Sequence, residues 1–175
     1  IKTGNHVLET RNIGILEDIV DGKGSEEEGE IKKMIKFCNE ENIMIKEHNG
    51  DYLGEHALRY HPKIGIHGIN VAPEFGVIET KAILAYFEQN NLEEFKEKFI
   101  DIAYNSKKWE KWMLPNSKTT KEDKAIIAGH YIFSSKEFKE LKSKILGTKE
   151  ENFNQFLKSE IKISILNYLK NLNII

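Results

Sequence analysis

Residues 43–74 read IMIKEHNGDYLGEHALRYHPKIGIHGINVAPE, and the fold is decided there. Two short isoleucine-rich runs, Ile43-Met44-Ile45-Lys46 and Ile64-Gly65-Ile66-His67, each pass directly into His, Asn and carboxylate residues. Runs of this kind suit strands covered by helices on both faces. Between them Gly54–Tyr60 has helical spacing, with an end expected at His61-Pro62 because proline disfavours αR geometry in the residue before it. After them Glu74–Gln89 carries Val77, Ile78, Ala82, Leu84, Ala85 and Phe87 at helical spacing.

Working outward, Ile1-Lys2-Thr3 reads as a further strand running into Gly4-Asn5-His6-Val7. Glu26–Glu41 reads as a helix with Ile31, Met34, Ile35 and Cys38 on one face and a Ser25/Glu28 capping box. The order β-α-β-α-β-α predicts an α/β fold with a parallel sheet. The loop Gly14–Gly29 is longer than a usual βα connection, which suits either a substrate cover or an inserted surface loop. From residue 91 the character turns helical, with helices expected over Leu92–Tyr104, Lys121–Phe133, Ser135–Leu146 and Lys149–Leu172. A short strand near Trp112-Met113-Leu114 is the alternative to a purely helical tail. Gly129 interrupts the second of these four helices, which either a ligand or close helix packing would explain, and it makes His130 a second-rank candidate.

The chain has 175 residues, suiting one domain, with βα units over 1–90 and helices over 91–175. It does not begin with methionine and opens on a strand, so an N-terminal portion of the fold is expected to be missing. Lysine and arginine number 26 against 28 acids, a balance that gives no general attraction to nucleic acid or anionic membrane. The single cysteine, Cys38, permits no internal disulfide, and no run of about 18 apolar residues is present, so a cytoplasmic protein is expected.

In parallel α/β folds the reactive groups lie beyond the carboxyl ends of the strands. Those positions hold Asn5 and His6, then Glu47, His48 and Asp51, then His67, Asn70 and Glu74. Glu47, His48, Asp51 and Glu74 are the candidate catalytic groups, and Asn5, His6 and Asn70 the candidate substrate-orienting ones. His48, His67 and Asp51 are candidate ligands for a divalent metal (Zn, Mg or Mn) that would polarise a carbonyl or diol. Metal-free acid–base work on a carbon beside a carbonyl fits the same groups. Structural readings stand beside these. His67 suits a core histidine, His48 and Asp51 a turn, and Glu74 a helix-dipole acid. His56, His61 and Arg59 read as ordinary surface or helix-end residues, and Lys23 between two glycines matches no complete phosphate loop.

The run His48-Asn49-Gly50-Asp51-Tyr52, followed by Gly65–Leu84, resembles the tagatose-bisphosphate aldolase accessory-subunit family, which carries a His-x-x-Asp-Tyr run after a late barrel strand. The resemblance covers about a hundred residues, and the Lys121–Ser134 segment is compatible with the family's terminal region. It implies the C-terminal part, about three βα units, of a (β/α)8 barrel of the class II aldolase kind, a fold that needs about 250 residues. It also implies ketohexose (bis)phosphate substrates, and a role for His48, Asp51 and Tyr52. Two functions follow from it. One is metal-assisted aldol cleavage or epimerisation of sugar phosphates. The other is a non-catalytic subunit that stabilises a partner aldolase, through a surface such as that around Trp109 and Trp112, or a homo-oligomer.

Overall fold

The structure, a computed structural model, describes residues 25–48, 50–114, 118–146 and 150–175. The expected first strand, most of the Gly14–Gly29 loop, and Asn5 and His6 lie outside the described residues. Helices dominate, in the order α1 (Ser25–Glu40), α2 (Glu55–Ile64), α3 (Pro73–Gln89), α4 (Glu93–Asn105), α5 (Lys121–Ala128), α6 (Lys136–Leu146) and α7 (Glu150–Asn171). Two short strands, β1 (Lys46–Glu47) and β2 (Gly68–Ile69), flank α2 and pair in parallel, Lys46 against Gly68 and Glu47 against Ile69. Parallel neighbours require a crossover, and α2 supplies it. A parallel βαβ unit is therefore present, in a chain whose described residues are mostly helical. No helix among the described residues is long and apolar enough to cross a membrane.

The chain divides into two compact units. The first runs through Glu74 and includes Ile165–Ile175; the second is Phe75–Ser164. In the first, Ile35 and Cys38 of α1 pack with Ile45 and Ile66, the residues that lead into the two strands. Backbone pairing continues past the strand ends. His67 N–H bonds Ile45 O at 2.9 Å, Asn70 N–H bonds Glu47 O at 3.0 Å, and Gly50 N–H bonds Asn70 O at 2.7 Å.

The strands sit later in the sequence than the isoleucine runs imply. Ile43 and Met44 are exposed, and pairing begins only at Ile45. The run Ile64–His67 is not a strand: Ile64 closes α2, and the strand starts at Gly68. Nor does α2 stop at His61. It runs through Pro62 because proline so near the end removes a single backbone donor, and the last turn is closed by a Schellman cap. In that cap Gly65 is left-handed (φ 90°), its N–H reaching Pro62 O at 3.3 Å, while Ile66 N–H reaches His61 O at 3.1 Å. Isoleucine content signalled burial here, and the glycine decided where helix gave way to strand.

The second unit is helical throughout its described residues, and the segment Trp112-Met113-Leu114 forms no strand there. Its core joins Phe87 of α3, Phe99 and Ala103 of α4, Ala125 of α5, Phe138 and Leu141 of α6, and Phe153 and Leu157 of α7. Tyr86 meets Phe153 edge to face at 5.0 Å, and Phe99 meets Phe138 likewise at 5.6 Å. A capping box starts α5: Asp123 N–H bonds Thr120 Oγ1 at 3.1 Å and Thr120 N–H bonds Asp123 Oδ2 at 3.2 Å. The helix expected to reach Phe133 changes to a 3₁₀ turn at Gly129–Tyr131.

Gly129 is explained by packing. A Cβ there would stand 2.3 Å from Thr80 Oγ1 and 2.4 Å from Thr80 Cγ2, and Thr80 is fully buried on α3. Alanine usually stabilises a helical position by up to about 1 kcal/mol relative to glycine. Gly129→Ala is expected to reverse that sign and destabilise by about 1–3 kcal/mol through overpacking, with Thr80→Ala recovering part of the loss. Urea denaturation of the two single variants and the double variant measures this, and a raised midpoint for Gly129→Ala would refute it.

Candidate functional site

Beyond the carboxyl ends of β1 and β2, two loops are locked together by the side chains of Asp51 and Glu74. Pro73 opens α3, a position where its missing N–H is harmless. The neighbouring N–H groups still need acceptors. Asp51, only 3% exposed, supplies one: its Oδ1 accepts from Ala72 N–H at 3.0 Å and from Glu74 N–H at 2.8 Å. The loop after β1 thereby caps the helix after β2. Gly50 lets the loop lie close here: a Cβ would sit 1.9 Å from Ile69 Cδ1, so a larger residue would force the Ile69 side chain to shift. Tyr52 takes a left-handed backbone (φ 60°), uncommon for an aromatic residue, and its N–H bonds Glu74 Oε2. Tyr168, from the end of α7, donates to the same Oε2, and its oxygen lies 3.1 Å from Gly50 O.

The electrostatics follow from burial. Burial pushes the Asp51 carboxyl up, opposed by the N–H groups of Glu74 and Ala72 and by the nearby His48. Its second oxygen, Oδ2, is buried and has no hydrogen-bond partner among the described residues. Burial, reinforced by the carboxylates of Glu74 and Asp51, pushes the phenols of Tyr52 and Tyr168 well above the ordinary tyrosine value, so both stay protonated.

Glu47 lies elsewhere on the same strand end. It is buried and bonds His61 Nε2, while His61 Nδ1 donates to Ala57 O at 2.7 Å. His61 is 1% exposed, not a surface residue. Ala57, Leu58 and His61 are the buried residues of α2, with His61 four residues after Ala57 and three after Leu58, and that stripe is the signal that places His61 inward. Pro62, read as a helix end, obscured it.

The remaining candidates are dispersed. His48 is exposed. His67 is also exposed, and its Nδ1 accepts the Ile45 N–H at 3.3 Å, so it is not the core histidine that its apolar surroundings suit. Asn70 is half-buried and held through its backbone. Among the described residues no three His, Cys, Asp or Glu side chains gather as metal donors. His48, His67 and Asp51 thus do not form the expected donor set, since both imidazoles lie at the surface while Asp51 is turned inward as a cap. Arg59 bonds Asn171 Oδ1 and Glu55 Oε2, each at 2.8 Å.

The second unit has a grouping of its own. His130 is half-buried and tilted against the Tyr131 ring at 3.9 Å, and burial with the charge of Lys111 pushes it down. Trp112 Nε1–H bonds Tyr131 Oη at 3.2 Å, and the Lys111 ammonium lies 4.5 Å from the Tyr131 ring centre. Known proteins offer no name for either grouping: no family model, no curated protein and no solved structure matches the chain.

The Glu47–His61 pair carries a pH dependence. Burial alone would lower His61, but the hydrogen bond and charge of Glu47, with the Ala57 carbonyl, outweigh it, so its pKa is raised. The pair's contribution is therefore complete below the unfolded histidine value of about 6.5 and is lost as pH rises through the raised value. Urea unfolding from about pH 6 to about pH 9 is expected to show declining stability, with a flatter profile in His61→Gln. Parallel profiles for the two proteins would sink this assignment.

Proposed function

We propose that the chain belongs to a sugar-phosphate (β/α)-barrel protein of the tagatose-bisphosphate aldolase accessory type. Its role is to support a catalytic aldolase subunit rather than to perform the aldol step. The observation that carries this reading is how the three strand-end carboxylates are used. Glu47 is bonded to His61, Asp51 to the opening N–H groups of α3, and Glu74 to Tyr52 N–H and Tyr168 O–H. Groups that in an aldolase would hold metal or move protons here hold loops and helices. The His48-x-x-Asp51-Tyr52 run supports the family, and the parallel βαβ unit is compatible with part of a barrel. Fold likeness alone does not fix activity.

One observation favours an enzyme instead. Asp51 Oδ2 is buried without a partner among the described residues, and burial favours the protonated acid, the form that donates a proton to a carbonyl oxygen. In that reading Asp51 is the acid, and His48, exposed at the loop, is the base.

The two readings separate on the full-length protein assayed with ketohexose bisphosphate, alone and beside a class II aldolase subunit. The accessory reading expects no turnover alone and a longer aldolase half-life on mixing. It further expects Asp51→Asn, which keeps an acceptor for α3, to retain that support. Asp51→Ala is expected to lose about 1–2 kcal/mol of stability with the cap, and the support with it. Turnover by the protein alone, abolished in folded Asp51→Asn, would establish the enzyme and overturn the accessory role.

A further inference from the structure

Hydrogen-bond accounting around the Tyr168 hydroxyl does not close. Two oxygens stand near it, Gly50 O and Glu74 Oε2, and the Asp51 carboxylate is close enough for its charge to act on both Tyr52 and Tyr168. A phenol carries one proton and serves one acceptor at a time. The Tyr52 N–H supplies a second, but to Glu74, the acceptor Tyr168 already serves. Among the described residues Asp51 Oδ2 is left with no donor, although it is buried where an unmet acceptor is costly.

We propose that the end of α7 is an internal plug of the strand-end site, in which the Tyr168 hydroxyl stands in for one hydroxyl of a ligand bearing neighbouring hydroxyl groups, as a polyol or sugar does. Two adjacent O–H groups bring the second proton that the phenol lacks, and each also accepts. A bare cation suits the place less well, because the donors Tyr52 N–H and Tyr168 O–H already point at Glu74 Oε2. The plug has a second hold three residues along the helix, where Asn171, also buried, accepts from Arg59 of α2. Displacing the end of α7 would break both holds and uncover Gly50, Asp51 and Glu74 together. The phosphorylated form of the ligand rests on the function proposed above; the plug does not.

The test titrates the full-length chain, Tyr168→Ala and Tyr168→Phe calorimetrically with sorbitol, fructose 1,6-bisphosphate, inorganic phosphate and calcium ion. Tyr168→Ala, which vacates the space of the ring, is expected to bind sorbitol and the bisphosphate at least about tenfold more tightly than the unaltered chain. A gain for sorbitol with no preference for the bisphosphate supports the plug and removes the sugar-phosphate function. A gain for phosphate or calcium alone overturns the hydroxyl assignment. Unchanged affinity for every probe in a folded Tyr168→Ala overturns the plug. Should that variant not fold, amide exchange at Tyr52 in Tyr168→Phe decides. It is expected to quicken about tenfold and to slow again on adding sorbitol, and exchange indifferent to sorbitol overturns the proposal.

Discussion

A single carboxylate oxygen, Asp51 Oδ1, closes the opening turn of α3 from the loop that follows β1. A helix that begins with proline presents its first free N–H groups without local acceptors, and here a side chain from another loop supplies them. Everything around the strand ends follows from meeting that need. Gly50 is glycine so that the loop can lie against Ile69, Tyr52 adopts a left-handed turn that sends its N–H to Glu74, and Tyr168 braces the same carboxylate. Three short-range compromises serve one backbone requirement.

Legibility in the sequence tracked the range of the interactions involved. The helices α3, α4, α6 and α7 were readable to within a residue or so, because their apolar spacing and flanking breaks are local. The two strands were placed too early. Their isoleucines mark burial rather than pairing, and the left-handed cap at Gly65 that divides α2 from β2 depends on three-dimensional closure. Asp51 and Glu74 were found by their place after strands and Tyr52 through the His-x-x-Asp-Tyr run, and the structure brings the three together. Tyr168 was not found, since nothing in a lysine-rich helix points to a loop 118 residues away. His61 was within reach through its helical stripe with Ala57 and Leu58, and the neighbouring proline hid it.

The chemical character of the strand-end region is that of an acceptor-rich surround with protonated phenols. Buried carboxylates that keep their neighbours' phenols neutral also make those phenols dependable donors, so the polarity of each hydrogen bond is fixed. An amide in place of Glu74 would have to keep its one carbonyl oxygen turned toward both Tyr52 N–H and Tyr168 O–H. The Glu47–His61 pair fixes a second polarity, since Nδ1 must donate to Ala57 O and leaves Nε2 to face the carboxylate.

That the first unit includes Ile165–Ile175 bears on how the chain is assembled. Residues 75–164 form a unit of neighbours in sequence, with helices that can collapse as they emerge from the ribosome. The strand-end loop, by contrast, has to wait for Tyr168 and Asn171, whose partners Gly50 and Arg59 lie 118 and 112 residues upstream. Closing loops of that length is the slow, entropically opposed part of folding. The unit begun first is thus completed last, and until then its carboxylates remain open to water and to whatever else can bind them.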